Sequence, residues 1–244
     1  MKRPLLVLFL LALLCAPALA QEAKPLRIVC FGDSITGNRP REAYLDKYMK
    51  WTDLLGLMVE ARTGAKVESL NRGWAGDATY AKPGQSMPGA VGRYKADIID
   101  DKPDIAVILI SGNDKKNTPE EQATTRANLE KIVSDTKAAG IKVLLLQYAV
   151  LGPQNNATSQ PNAATQPADK TWYHLAGNNT LIAEIAKKFD VPTLALQPAF
   201  DEAAKTQPRE ALVNKVDGVH LSPYGEITTA RAIFNKLVEL QWIK

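Results

Sequence analysis

The sequence predicts an α/β fold: a three-layer sandwich in which helices cover both faces of a central parallel sheet of about five strands. Short apolar segments of strand length alternate along the chain with longer segments whose apolar residues recur at helical spacing. Strands and helices that alternate in this way fold most simply as a parallel sheet between two helical layers. The 244 residues and ordinary composition predict one domain with one substantial core.

The first 20 residues have the features of a secretory signal peptide. Two basic residues precede an apolar segment from Leu5 to Leu14, and Ala18 to Ala20 forms a typical cleavage site. The apolar segment is too short to span a bilayer comfortably. We therefore expect cleavage after Ala20 and a mature domain of residues 21–244 that is secreted or periplasmic, without a stable membrane anchor.

The net charge argues against a nucleic-acid-binding protein, and the cysteine content argues against a domain stabilised by disulfides. Without the signal peptide the chain has 28 basic and 26 acidic residues, a net charge of +2, which is not typical of nucleic-acid binding. Cys30 is the only cysteine of the mature chain, so an internal disulfide is impossible. Since it lies within an apolar strand, we expect Cys30 to be a core thiol.

The first half of the chain holds three predicted strands and two predicted helices. The strands cover Ile28 to Phe31, Lys66 to Leu70 and Ile105 to Ile110. A helix that ends at Gly64 is predicted by apolar residues at helical spacing, namely Trp51, Leu54, Leu55 and Met58. A second helix is predicted within residues 90–99, with a shared face formed by Val91, Tyr94 and Ile98.

The second half continues the alternation. Thr118 and Pro119 are the expected N-cap and first residue of a helix that runs towards Gly140, and Ile141 to Val150 forms the next strand. The polar segment from Gly152 to Lys170 is either a functional loop or a mobile excursion. The remaining elements are a helix around Ile182, a strand from Thr193 to Leu196, and a last helix after Ser222 whose predicted inner face holds Ile227, Ala230, Phe234 and Leu237.

Polar segments follow the predicted strands at the points where they end. They are Gly32-Asp33-Ser34, the segment from Asn71 to Asp77, the segment from Ser111 to Asp114 and, before the last helix, the segment from Asp217 to His220. Gly32 is expected to allow backbone angles that a side chain would forbid. Open α/β sheets bind ligands at the carboxyl ends of their strands. A serine placed there needs only a base and oxyanion donors to become a nucleophile.

These four blocks, in this order, resemble those of the GDSL, or SGNH, ester hydrolases. The resemblance covers Ser34 to His220 and implies a flavodoxin-like SGNH hydrolase fold and hydrolysis of carboxylic esters through an acyl-enzyme, without cofactor or metal. It implies Ser34 as nucleophile, His220 as its base and Asp217 as the partner that orients His220. The oxyanion hole would consist of the N–H groups of Ser34 and Gly76 and the amide of Asn113.

The chain departs from the family pattern at one position. Ser111 stands where the family has a glycine, and the neighbouring Gly112 is expected to let the same turn form. Other polar residues at the strand ends are weaker candidates. Asp33 is expected to brace its turn by accepting backbone N–H groups, and His174 to be a half-exposed helix residue. The candidate substrate contacts are Asp33, Trp74, Asp114 and Trp172.

The expected substrate is a small-molecule or polysaccharide ester with a short acyl group, most simply acetyl, on a sugar or another polar alcohol. Trp74 could close the acyl side of the cleft, the segment from Gly152 to Lys170 lacks the apolar face of a lid, and Trp172 with Tyr173 could stack on sugars. The alternative within the family is a lysophospholipase or thioesterase.

Two further classes stay open. A metal-dependent phosphoesterase could use Asp33, Asp77, Asp114 and His220, although two histidines without a pair at ligand spacing make this weak. A non-catalytic glycan-binding module could share the fold, although it would have no need of the reactive groups. Oligomeric state cannot be inferred from the sequence.

Overall fold

A five-stranded parallel sheet forms the centre of the protein. Its strands lie in the order β2-β1-β3-β4-β5, and every neighbouring pair is parallel. Their bounds are β1 (Leu26–Gly32), β2 (Val67–Gly73), β3 (Ile105–Leu109), β4 (Lys142–Gln147) and β5 (Thr193–Ala195). The predicted fold class and strand number are confirmed.

The computed structural model of the protein describes residues 24–37, 49–84, 86–114, 118–149, 173–214 and 220–244, with the backbone alone for 173–177. Several predictions lie outside what is described: the signal peptide, the polar segment from Gly152 to Lys170, the roles of Trp172 and Asp217, and the exposure of the His174 side chain. No helix of the described part is both long and apolar enough to cross a membrane.

The sheet is covered by six helices in the described part of the chain. They are α1 (Trp51–Thr63), α2 (Ala90–Tyr94), α3 (Pro119–Ala138), α4 (Tyr173–Phe189), α5 (Gln197–Ala203) and α6 (Pro223–Glu239). A π-helical turn, Lys95–Ile99, continues α2, and a 3₁₀ turn, Arg209–Ala211, follows α5. Helix α1 packs against α6, whereas α3 packs against α2 and α4. Right-handed crossovers place these two groups on opposite faces of the sheet.

The helix boundaries agree closely with the predicted ones. Helix α1 ends before Gly64, and the hydroxyl oxygen of Thr118 accepts a hydrogen bond from the N–H of Glu121 at the start of α3. Ser222 caps α6 in the same way through the N–H of Gly225. The predicted second helix is half α-helical and half π-helical, and helix α5 was not predicted, because its seven residues are too few to show a period.

The strand register aligns the ends of β1, β2 and β3, so the predicted site segments that follow them begin side by side at the carboxyl edge of the sheet. Gly32 at the end of β1 pairs with Gly73 in β2 on one side and with Leu109 in β3 on the other. The chain therefore leaves β1 for β2 on one side and returns to β3 on the other. This reversal of strand order creates a crevice at the carboxyl edge of the sheet, where open α/β folds bind ligands.

The core confirms the prediction for Cys30 and corrects the one for Ile227. Cys30 is fully buried, and burial raises the pKa of its thiol to about 12. Ile227 is 43% exposed, whereas Glu226 is fully buried in the inner face of α6. Ala230 and Leu237 are buried as predicted, but at the start of α6 the buried position belongs to Glu226, because this carboxylate has a partner next to α1.

That partner is Lys50, directly before α1. Its ammonium group donates to one carboxylate oxygen of Glu226, and the backbone N–H of Trp51 donates to the other at 2.8 Å. Lys50 is 5% exposed. Removing one member of a buried ion pair leaves the other charge without compensation, which costs more than the intact pair contributes. This pair fixes the contact between α1 and α6.

We expect Lys50→Met to lower the free energy of unfolding by about 3 kcal/mol or more, because Glu226 would stay buried without its cation. The double variant Lys50→Met/Glu226→Gln should recover most of this loss, since glutamine is neutral and can still accept the N–H of Trp51. Urea unfolding followed by circular dichroism measures both.

Lys205→Met is the matched control. Lys205 pairs with Glu202 on the surface, where their side chains are 69% and 72% exposed, and such pairs contribute little to stability. Equal unfolding midpoints for Lys50→Met and Lys205→Met would contradict the prediction.

Candidate active site

Ser34 lies in a tight turn directly after β1. The carbonyl oxygen of Asp33 accepts the N–H groups of Thr36 at 3.1 Å and Gly37 at 2.8 Å. The carboxylate of Asp33 also accepts the N–H of Ile35 at 2.9 Å, which is the pattern of an Asx turn. These bonds hold Ser34, which is 8% exposed, at the carboxyl edge of the sheet, as predicted.

Gly32 is required for a different reason than the one predicted. Its φ angle is not in the left-handed region. A Cβ atom there would lie 2.3 Å from the carbonyl oxygen of Leu109 and 2.4 Å from the hydroxyl of Thr36. The glycine therefore allows the serine turn to pack closely against β3, and its conformational freedom is not what the turn uses.

The carboxylate of Asp33 is buried and has a partner across the sheet. The hydroxyl of Tyr148, just after β4, donates to it at 2.6 Å, and the same hydroxyl accepts the N–H of Gly112 at 2.9 Å. Burial raises the pKa of Asp33, an effect that the hydrogen bonds from Tyr148 and Ile35 and, less strongly, the charge of His220 partly offset. Asp33 was a candidate substrate contact, but its contacts fit the expected bracing role.

His220 is held at the same edge by a short antiparallel pairing. Val213 and Leu221 form an isolated bridge, and the carbonyl oxygen of His220 accepts the N–H of Asn214 at 2.7 Å. The charge of His220 is one of the influences on the pKa of Asp33, the residue directly before Ser34. The pairing of His220 with Ser34 and the role of Asp217 stay predictions.

The loop after β2 presents Gly76. The residue has a φ of 79°, its carbonyl oxygen accepts the ammonium group of Lys82 at 2.9 Å, and the nearest atom to an added Cβ would be the methyl carbon of Met87 at 3.8 Å. No neighbouring atom therefore crowds the side of Gly76 on which a side chain would stand.

Asn113, after β3, touches this loop directly. Its amide donates to the carbonyl oxygen of Asp77 at 2.9 Å. An amide nitrogen carries two hydrogens, so one remains available for a substrate oxygen. The backbone N–H of Trp74 also donates to the carbonyl oxygen of Gly32 at 2.9 Å. The loops after β1, β2 and β3 are therefore joined to one another, and each carries one of the predicted oxyanion donors.

The remaining candidates differ in their accessibility. Asp114 is buried, and its carboxylate accepts the N–H of Thr79 at 2.9 Å and the hydroxyls of Thr79 and Thr125. These contacts fit a bracing role better than the predicted contact with substrate. Trp74 is 40% exposed, so its ring can be reached by a ligand.

The carboxylates at this edge do not form a metal site in the described part of the chain. No three His, Cys, Asp or Glu side chains are grouped there in a way that could hold a metal ion. Each of the three carboxylates accepts hydrogen bonds from a different part of the protein. Tyr148 donates to Asp33, and Arg93 donates to Asp77. The hydroxyls of Thr79 and Thr125 donate to Asp114. The donor set of a metal-dependent phosphoesterase is therefore not assembled from them.

Two important residues were not found from the sequence. Tyr148 is one of the few polar residues in an apolar strand segment, and this exception is a signal for a buried hydrogen bond. Arg93 is 4% exposed and pairs with Asp77. Its place in the sequence, next to the predicted inward-facing Tyr94, was the one indication that it could be buried. Neither partner could be identified from local spacing, since both lie in other loops.

The chain matches the model of the GDSL-like Lipase/Acylhydrolase family over residues 30–226, most of its length. The protein belongs to this family. The resemblance carried by the four blocks is thereby confirmed, and this GDSL-family protein is a hydrolase that acts on carboxylic esters. A comparison with curated protein sequences finds no match.

Solved structures share the fold of this GDSL-family hydrolase. The crystal structure of Axe2, an acetylxylan esterase from Geobacillus stearothermophilus, is 22% identical over 91% of this chain and 98% of its own, with a TM-score of 0.65. LAE5, an α/β hydrolase enzyme from the metagenome of Lake Arreo in Spain, is 19% identical over 87% of this chain and 95% of its own, with a TM-score of 0.65. Catalytic mutants of Axe2 replace a serine, an aspartate and a histidine, the last two three positions apart.

The turn at Ser111 differs from the prediction. Ser111 itself has a φ of 107°, a conformation that favours glycine, whereas Gly112 has no positive φ. Gly112 is needed because a Cβ there would lie 2.8 Å from the carboxylate of Asp33 and 3.2 Å from the ring of Tyr148. The departure from the family pattern therefore leaves a serine in the position that requires unusual backbone angles.

We expect Ser111→Gly to be more stable than Ser111→Ala by about 1 kcal/mol, because alanine keeps the unfavourable φ and glycine does not. Both variants lose the hydroxyl, so the comparison isolates the backbone. Thermal unfolding of the GDSL-family hydrolase and its two variants measures the difference.

Ser134, which lies within α3, is the control, since helical backbone there should reverse the order, with Ser134→Ala more stable than Ser134→Gly. The same order at both positions would show that the φ of Ser111 is not the cause.

Proposed function

We propose that this GDSL-family hydrolase is a serine esterase that removes short acyl groups, most simply acetyl, from a carbohydrate or another polar alcohol. The observation that supports the mechanism best is the meeting of three loops at one sheet edge. Ser34, Gly76 and the amide of Asn113 lie in loops that hydrogen-bond to one another. These would be the nucleophile and the oxyanion donors that acyl transfer through a serine requires.

The reaction would proceed in two halves. The hydroxyl oxygen of Ser34 attacks the ester carbonyl carbon while the imidazole of His220 takes its proton, and the proton then passes to the departing alcohol. Asp217 would accept the other ring N–H of His220 and stabilise its charged form. Water attacks the resulting acyl-serine with the same base, which releases the acid and restores Ser34.

The oxyanion formed in each half would accept three hydrogen bonds. The donors are the N–H of Ser34, the N–H of Gly76 and the free amide hydrogen of Asn113. Each such donor lowers the barrier by about 3 kcal/mol in a site that excludes water. Their loops are tied to strand ends and to each other, so they need little reorganisation when the negative charge develops.

The short acyl group and polar alcohol are supported by two observations. The exposed ring of Trp74 lies two residues from Gly76, where it can limit the acyl pocket or stack on a sugar. Among solved structures, Axe2 is an acetylxylan esterase, and its catalytic mutants have the spacing of Asp217 and His220 in this chain. If residues 1–20 are cleaved as the sequence predicts, the substrate would be met outside the cytoplasm.

We expect Ser34→Ala and His220→Ala each to abolish ester hydrolysis, because the first removes the nucleophile and the second its base. His174→Ala is the matched control: it removes the other histidine of the chain, which lacks the aspartate that stands three residues before His220. The measurements are turnover of p-nitrophenyl acetate and labelling by a fluorophosphonate, with mass spectrometry to locate the adduct. An inactive His174→Ala, or an adduct outside Ser34, would show that the assignment is wrong.

We expect a higher kcat/KM for acetyl than for octanoyl p-nitrophenyl ester, because a longer chain would have to pass the ring of Trp74. Acetate release from acetylated xylan should likewise exceed fatty-acid release from lysophospholipid. The Ser34→Ala protein serves as the blank for each substrate. A clear preference for octanoyl ester and lysophospholipid would favour the lysophospholipase alternative and would leave the proposed mechanism intact.

A further inference from the structure

Arg93 in α2 is a buried arginine beneath the three loops of the site. It is 4% exposed, and its guanidinium group makes four hydrogen bonds to different parts of the chain. Nε donates to Asp77 at 2.8 Å, one terminal nitrogen to Asp97 at 2.6 Å and to the carbonyl oxygen of Arg72 at 2.9 Å, and the other to the carbonyl oxygen of Gly32 at 2.9 Å. One side chain therefore connects the ends of β1 and β2.

The contact with Gly32 reaches the loop of the nucleophile. The carbonyl oxygen of Gly32 accepts two hydrogen bonds, from Arg93 and from the backbone N–H of Trp74. Ser34 follows two residues later, and its N–H is the first proposed oxyanion donor. The position of that donor thus depends on a carbonyl group that Arg93 holds in place.

The contact with Asp77 reaches the other two donors. One carboxylate oxygen of Asp77 pairs with Arg93, and the other accepts the N–H of Ala78 at 3.0 Å. The backbone N–H of Asp77 donates to the carbonyl oxygen of Trp74 at 3.1 Å, which closes the turn around Gly76. The backbone carbonyl oxygen of Asp77 accepts the amide of Asn113. The same residue therefore orients Gly76 and Asn113.

Aromatic rings restrict the guanidinium group further. Its carbon atom lies 4.1 Å from the centre of the Phe31 ring and 5.0 Å from that of Trp74. Stacking on aromatic faces and planar hydrogen bonds are contacts that arginine makes and lysine does not reproduce. The group is thus fixed in one orientation under the site and is shielded from substrate.

We propose that Arg93 and Asp77 form a positioning pair that sets the geometry of all three oxyanion donors. The inference rests on the proposed serine-esterase function and deepens it. Neither residue touches substrate: the pair acts through the carbonyl oxygens of Gly32 and Asp77 and through the turn at Gly76. Because oxyanion donors stabilise the transition state more than the bound ester, loss of the pair reduces kcat more than it changes KM.

The test measures kcat and KM for p-nitrophenyl acetate in Arg93→Lys, Asp77→Asn and the double variant, each well below its own Tm. We expect kcat to fall about a hundredfold in each single variant, because small displacements of catalytic groups have effects of this size, while KM stays within about twofold. The double variant should be no slower than the slower single variant, since both changes break one pair.

Tyr94→Phe is the matched control on the same helix. It removes the hydrogen bond from Tyr94 to Asp135, which lies outside the three loops, and so should lower Tm without changing kcat. The proposal would be overturned if folded Arg93→Lys and Asp77→Asn had a normal kcat. It would also be overturned if the fold-decrease of kcat in the double variant equalled the product of the two single decreases. Variants that lose the fold altogether would also overturn it, because the pair would then be structural. Activity in Ser34→Ala would instead refute the proposed function.

Discussion

The hydrogen bonds of one buried guanidinium group determine how the loops of this site are held. Burial of a charge is costly, so Arg93 is stable only where a carboxylate compensates its charge and acceptors occupy its N–H groups. The acceptors are the strand-end carbonyls of Gly32 and Arg72 and the carboxylates of Asp77 and Asp97. Any movement of these strand ends would leave a buried charge incompletely bonded. The free-energy cost of burying Arg93 therefore opposes movement of these strand ends.

The same edge contains three buried acids, and an oxyanion beside free carboxylates would be repelled by them. Each acid is instead satisfied inside the protein: Asp33 by Tyr148, Asp77 by Arg93, and Asp114 by threonine groups. Burial raises the pKa of Asp33 and of Asp77, and the hydrogen bond from Tyr148 and the charge of Arg93, respectively, partly offset this effect. The acids thus brace the loops through partners inside the protein.

The order of the strands and helices, and the location of the site at the carboxyl edge of the sheet, could be predicted because both depend on the local sequence pattern. Apolar periodicity identified all five strands, and their parallel arrangement placed the blocks at one edge. The long-range pairs could not be predicted: 115 residues separate Tyr148 from Asp33, 61 separate Arg93 from Gly32, and 176 separate Lys50 from Glu226. Ile227 was misplaced for this reason, since a carboxylate enters an inner face only where a distant cation meets it. The turn at Ser111 was misassigned because spacing does not reveal which residue takes the positive φ.

In the proposed esterase, Trp74 would connect the loops of the oxyanion donors to the substrate. Its backbone N–H is bonded to the carbonyl oxygen of Gly32 and one face of its ring lies near Arg93, yet 40% of the residue is exposed. The ring is thus anchored by the same group that orders the oxyanion donors. A small ester would contact only the oxyanion donors, whereas a sugar ester would also contact the ring of Trp74. Changes to the exposed part of the ring would then alter substrate preference, whereas changes to Arg93 beneath it would alter the rate of the chemical step as well.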